Sequence, residues 1–175
     1  ITDILSANYL QIFTTGGEFF APQDFSDPLT PSNFIAKLQS SHGSKENIRV
    51  QNISGSTIYI QRQGKALNEY IYDRGGDGYL TSQISLLSSH LLNTPVDMSI
   101  RKATSTDEGD RLNIVNSTDG SMAVYTLLRD QNIVAATKFT TDGLFLNIAT
   151  VVSDQYVATK RNLPAQATCT IVVSD

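Results

Sequence analysis

Apolar and polar residues alternate through most of this chain, and turn residues break the alternation at short intervals. Successive side chains of a strand point to opposite faces, so a two-residue period marks half-buried strands. Tyr9 to Thr14 is the first such segment, with Leu10 and Ile12 on one face and Tyr9, Gln11 and Phe13 on the other. Residues 47–62 read as a hairpin in which Ile48 and Val50 face Ile60 and Ile58. That register leaves Ile53-Ser54-Gly55 as a three-residue loop, with the glycine at its left-handed position. By the same test Asp119-Gly120 is a two-residue turn that pairs Ile114 with Tyr125 and Leu112 with Leu127. Asp142-Gly143 is another, pairing Phe139 with Leu146 and Lys138 with Asn147. Residues 110–152 are then expected to form a four-stranded antiparallel meander, with further strands at 66–73, 96–104, 155–161 and 167–173.

Two segments carry helical spacing instead. Thr30 as a cap, Pro31 in the first turn, and Phe34, Ile35 and Leu38 along one face predict a short helix ended by Gly43. Thr81 to Asn93 places Ile84, Leu87 and Leu91 at helical intervals just before Pro95, which predicts a second helix of about three turns. Between Gly16 and Thr30 no period is visible, and Phe19, Phe20 and Phe25 lie there among Gly16, Gly17, Pro22 and Pro28. A long loop with three aromatic rings is an arm that packs against something, its own domain or a neighbouring subunit. Phe19, Phe20 and Phe25 are therefore candidate interface residues. The pattern as a whole predicts an all-β fold, an antiparallel β-sandwich or single jelly roll with two short helices. Residues 1–33 would be an N-terminal strand and irregular arm, residues 34–175 the jelly-roll β-sandwich, in one domain overall.

Length and composition agree with that picture. A chain of 175 residues can bury about 70% of its unfolded surface, enough for a core without metal or disulfide support. Its 36 serines and threonines, against only 17% charged residues, put uncharged hydroxyls where a helix-rich chain would carry Lys and Glu. Coiled coil, collagen and charge-driven disorder are excluded. The net charge is −4, and no Lys or Arg precedes Lys37, so nucleic-acid contact through this segment is not expected. The single cysteine, Cys169, rules out an intrachain disulfide, and its place in an alternating stretch reads as a small buried apolar side chain. No run reaches the ~20 apolar residues of a membrane-spanning helix. A chain opening at Ile1 reads as processed or trimmed.

Catalytic groups are sparse, and no enzyme activity is expected. His42 and His90 both lie in serine-rich surroundings, and neither a Gly-x-Ser-x-Gly elbow, a phosphate loop nor a His-x-x-x-His pair occurs. The most unusual stretch is Asp73-Arg74-Gly75-Gly76-Asp77-Gly78. Asp73 and Asp77, four residues apart on a glycine-rich loop, are candidate oxygen ligands for Ca²⁺, although the spacing and the distal Glu of an EF-hand are missing. Tyr59, Tyr70, Tyr72 and Tyr79 cluster around the same strands, where aromatic rings either pack a sheet or stack on sugars.

With its Ser/Thr-rich short strands, few His and Cys, and an irregular segment before the barrel, the chain resembles the small single-jelly-roll coat proteins of simple viruses. That resemblance implies a virion-located structural subunit, whether coat, spike or decoration protein, whose partners are identical subunits and other virion proteins. The acidic-to-neutral N-terminal region departs from the basic arm of RNA-packaging coats. The competing expectation is an extracellular carbohydrate- or receptor-binding β-sandwich module, its site built from loop tyrosines and the 73–78 carboxylates, with Ca²⁺ as a conceivable cofactor. Neither reading requires any other cofactor.

Overall fold

The computed structural model describes residues 1–22, 28–53, 55–105, 108–128, 131, 133–162 and 167–174; for 162 and 167–174 the description is of the backbone alone. Among them are fifteen short strands in four antiparallel sheets. Strands β1 (Asp3–Ser6), β2 (Leu10–Phe13), β3 (Glu18–Ala21) and β4 (Lys37–Ser40) form the first sheet, and β5 (Gln51–Ile53), β6 (Ser56–Ile60), β7 (Leu67–Asp73) and β8 (Gly78–Gln83) the second. β9 (Pro95–Arg101), β10 (Asp110–Asn116), β11 (Met122–Leu128) and β12 (Ile133–Phe139) form the third, and β13 (Leu144–Val151), β14 (Asp154–Asn162) and β15 (Ala167–Ser174) the fourth. Every described pairing joins strands consecutive in the chain, so each sheet is an up-and-down meander. The only described helix is a single 3₁₀ turn, Ser89–Leu91.

The chain divides into two compact units, residues 1–84 and 85–175. The division falls well after the 33/34 boundary expected from the sequence. The stretch expected to be an arm supplies β3, an inner strand of the first unit's first sheet.

In the first unit, rings from both sheets meet in one core: Phe13 and Phe20 against Tyr59, Tyr70 and Tyr79, with Val50. Tyr70 and Tyr79 stack at 4.5 Å between ring centres, and Phe13 meets Tyr59 and Tyr70 at 5.3 and 5.6 Å. Such aromatic pairs each add about 0.5–1.5 kcal/mol beyond the area they bury. Polar links tie the two sheets as well. The Thr57 hydroxyl donates to Oε1 of buried Gln11 (2.6 Å), and the Tyr79 N–H donates to Oε1 of Gln39 (2.8 Å).

In the second unit Val115, Met122, Val124 and Ile148 form the core, with Phe145 and Val157 packed on it. Strand β9 is laced to the neighbouring sheet through side chains. Asp97 Oδ2 accepts the Ile148 N–H (2.8 Å), Ser99 donates to Thr150 Oγ1 (2.8 Å), and Arg101 Nε donates to the Ser153 carbonyl (2.9 Å).

Neither expected helix forms where the spacing predicted it. Residues 37–40 are β4, hydrogen-bonded to β3, and Phe34, Ile35 and Leu38 are exposed. Here tertiary pairing overrides a local amphipathic pattern. In the second segment Thr81, Ser82 and Gln83 pair with Tyr70, Glu69 and Asn68, so the start of the expected helix is committed to a strand; Leu86 and Leu87 are exposed in the turns beyond it.

Three registers also differ. Gln51 pairs with Ile58 and Ile53 with Ser56, one residue off the expected register, with Gly55 at φ +84° in the turn. All five residues of β6 are buried, so apolar-in, polar-out alternation has nothing to select there. Leu112 pairs with Tyr125 and Ile114 with Ala123; the turn is a four-residue loop, Ser117 to Gly120, instead of two residues. The shift is by two, which keeps every side chain on its expected face. The Asp142-Gly143 hairpin is absent: β12 pairs only with β11 and β13 with β14, so this segment carries the chain from one sheet to the next.

Candidate functional site

Chemistry-bearing side chains of the first unit gather where the β1–β2 turn meets the β7–β8 turn. Asp73 pairs with Gly78 across a four-residue loop, and Asp77 takes a left-handed φ of +46°. Each carboxylate is engaged on its own loop. Asp73 Oδ1 accepts the Gly75 N–H (3.0 Å), and Asp77 Oδ1 accepts the Tyr72 hydroxyl (2.9 Å). Among the described residues no group of three His, Cys, Asp or Glu converges as a cation would require.

Beside this loop lies a groove of about 530 Å³ lined by Ala7, Asn8, Tyr9, Tyr72 and Arg74. The Tyr9 and Tyr72 rings meet edge to face at 5.3 Å. Tyr9 leans on Phe20 (5.7 Å) and Tyr72 on Tyr79 (5.3 Å), so the groove wall is anchored on the core. The Tyr72 hydroxyl is held against losing its proton by its hydrogen bonds to Tyr9 and Asp77, and it remains a donor across the physiological range.

The first unit also holds a buried carboxylate that the sequence did not point to. Glu18 is fully buried at the start of β3; its Oε2 accepts the Ser40 hydroxyl, while Oε1 has no partner among the described residues. Burial raises its pKa, outweighing the lowering by Ser40 and by the charge of His42. Burial, then the Glu18 charge, pushes the Tyr59 hydroxyl up to about 12. With Ser40 bonded directly to the acid, this trio has none of the Ser–His–acid order of a hydrolase.

The expected interface rings fare differently from one another. Phe20 is 1% exposed and its ring is spent on the unit's own core. Phe19 is half-buried on β3, and Phe25 lies outside the described residues. Cys169 lies on β15, opposite Lys160.

Both units expose apolar side chains, and on the second they include most of one strand. Every residue of β12 is exposed except the half-buried Ala136, and Ile133, Val134 and Phe139 are each about half exposed. Among the described residues β12 is an edge strand paired on one side only, while the opposite edge, β9, is covered by the side-chain links to β13 and its flanking loop. Leu144 and Leu146 on β13, then Val151, Val152 and Tyr156, extend the exposed apolar set. Val152 is 89% exposed and sits at φ +60°, a conformation costly for a β-branched residue.

No protein-family model matches the chain, and no curated protein matches it. No described helix is long and apolar enough to cross a membrane.

Proposed function

We propose that this chain is a self-assembling structural subunit whose partner is a second copy of itself, joined through the open edge and apolar faces of the second unit. One observation carries the reading: β12 presents Ile133, Val134 and Phe139 to solvent on an unpaired edge, with Lys138 as its only charge. Soluble monomers blunt such edges with charges, prolines or bulges, because an unpaired row of N–H and C=O groups recruits another strand. An edge left this open is suited to pairing. The virion setting (coat, spike or decoration layer) rests on the resemblance in composition and strand pattern. Each unit is read as a two-layer β-sandwich of two meanders. A jelly roll would additionally need pairings between strands distant in sequence, and none is among those described. The role is contact and not bond-making.

Sedimentation velocity on the full chain at tens of micromolar tests this. An oligomer or particle is expected, and Val134→Lys, which places a second cation on the edge, should return it to monomer with an unchanged circular dichroism spectrum. A wild-type monomer at every salt concentration, or a Val134→Lys variant that assembles as before, overturns the reading.

A further inference from the structure

We propose that the groove of the first unit binds a neutral saccharide: Tyr9 and Tyr72 provide the aromatic wall, while Asn8, Arg74 and the free oxygen of Asp77 engage vicinal hydroxyls. The proposal is independent of self-assembly, which was argued from the other unit.

A sugar ring offers an apolar face of C–H groups and a rim of hydroxyls, each both donor and acceptor. Its recognition needs a fixed aromatic surface for the first and planar polar groups for the second. The groove has both. Tyr72 cannot swing freely, because its hydroxyl donates to Asp77 Oδ1 at 2.9 Å and its ring abuts Tyr79 at 5.3 Å. Tyr9 is braced by Phe20 and by its own N–H, which donates to the Tyr79 hydroxyl (3.4 Å). Both rings are only partly buried, so part of each is open to the groove.

The polar groups are similarly placed but uncommitted. Arg74 lines the groove with no hydrogen bond or ion pair to any described residue, although guanidinium donors are rarely left unused where an acceptor is near. Asp77 uses one oxygen on Tyr72 and keeps the other.

Charge selects the ligand class. Arg74 is the one charged residue lining the groove, and the Asp77 carboxylate, hydrogen-bonded to the Tyr72 hydroxyl at its border, offsets that charge, so the site offers little net attraction to a carboxylated or sulfated sugar. A volume of about 530 Å³ lies within the roughly 300–1,000 Å³ of small-ligand sites, with room for one or two sugar rings. The groove is open on one side, so single-site binding will be weak, and copies joined in an assembly would strengthen it by avidity.

The test is a ligand-observed and protein-observed NMR titration of the full chain with neutral mono- and disaccharides (galactose, glucose, mannose, N-acetylglucosamine, lactose), with sialic acid as the charged arm. At least one neutral sugar should bind in about the millimolar range, perturbing Tyr9, Tyr72 and Arg74 resonances, while sialic acid binds more weakly. Arg74→Ala, an exposed loop change that leaves the core untouched, should weaken binding about tenfold. Tyr9→Ala should do the same; if its melting temperature shows it to be unfolded, the Arg74→Ala and Asn8→Ala results decide. Absence of binding by every neutral sugar, preference for sialic acid, or unchanged affinity in Arg74→Ala would overturn the assignment.

Discussion

Asp119 sits in the loop between β10 and β11 and reaches two partners at once. Its Oδ1 accepts the Ser121 N–H (3.2 Å) and hydroxyl (2.7 Å), and its Oδ2 pairs with Lys138 Nζ on β12 at 2.8 Å. Burial alone would raise the carboxyl, but Lys138 and Ser121 together bring it from 3.8 to about 2. Taken at face value, that drop is worth about 2.5 kcal/mol to the folded state. The Lys138 and Asp119 side chains are 44% and 31% exposed, however, so solvent screening reduces the useful figure to about 1 kcal/mol. Because the folded value is depressed, this stability is present above the unfolded value near 3.8 and disappears as the pH falls through about 2.

Asp119→Asn keeps an oxygen for Ser121 and removes the charge that Lys138 uses. The variant should be less stable by about 1 kcal/mol at neutral pH, and the gap should close below pH 2. Carbon-13 NMR of the Asp119 carboxyl gives the direct reading: a midpoint near 2 in the wild type, rising toward 3.8 in Lys138→Met. A midpoint unmoved by Lys138→Met, or a stability gap equal at neutral and acid pH, would refute the reasoning.

Glu18→Gln should stabilise the first unit at neutral pH by about 1–3 kcal/mol, since it removes a buried charge while keeping an acceptor for Ser40. The folded pKa is raised, so the wild type has its full contribution below the unfolded value of 4.5 and loses it as pH rises through the folded one. Melting curves of both proteins should converge in acid and separate toward neutrality, and parallel curves would refute this. Tyr70→Phe removes a buried hydroxyl that has no partner among the described residues and should be neutral or stabilising by about 1 kcal/mol. Tyr59→Phe breaks the bond from Asn68 Nδ2 (3.4 Å) and should cost about 1 kcal/mol; equal effects in urea unfolding would be inconsistent with both assignments. Val152→Gly relieves a left-handed φ of +60° at an exposed turn and should raise stability by about 1 kcal/mol. A lower melting temperature would show that the valine side chain holds the turn in place.

Strand content was legible because it rests on local alternation and turn chemistry. Leu67–Asp73, Asp154–Asn162 and Ala167–Ser174 lie within two residues of their expected spans. Register was less so. Where one face is wet, as expected for an ordinary hairpin, apolar-to-apolar pairing identifies the partner; in β6 both faces are covered and the same rule fails by one residue. The Asp142-Gly143 turn shows another limit, because the same dipeptide serves a hairpin or a crossing between sheets. At the groove, Tyr72 and the 73–78 loop were visible as an unusual stretch. Tyr9 and Asn8 were not, since more than sixty residues separate them from it and only the fold brings them close. Glu18 gave no signal at all: nothing in Gly17-Glu18-Phe19 says that a carboxylate will be buried.

Lys138 connects the ion pair to the proposed assembly surface. It is the single charge on β12, and a free cation on an edge strand is what normally deters addition of a further strand. Here that cation is held by Asp119 at 2.8 Å, which neutralises it and leaves Ile133, Val134 and Phe139 as the character of the edge. Two substitutions in one ion pair should therefore shift self-association in opposite directions. Asp119→Asn leaves each copy with an unpaired positive charge and should weaken association. Lys138→Met removes the deterrent and should strengthen it, although both changes cost the folded monomer similar stability. Simple destabilisation would move both variants the same way, so sedimentation velocity on the pair separates electrostatic control of the edge from loss of fold. If the two shift together, Lys138 has no gatekeeping role and the open edge must be explained by its apolar residues alone.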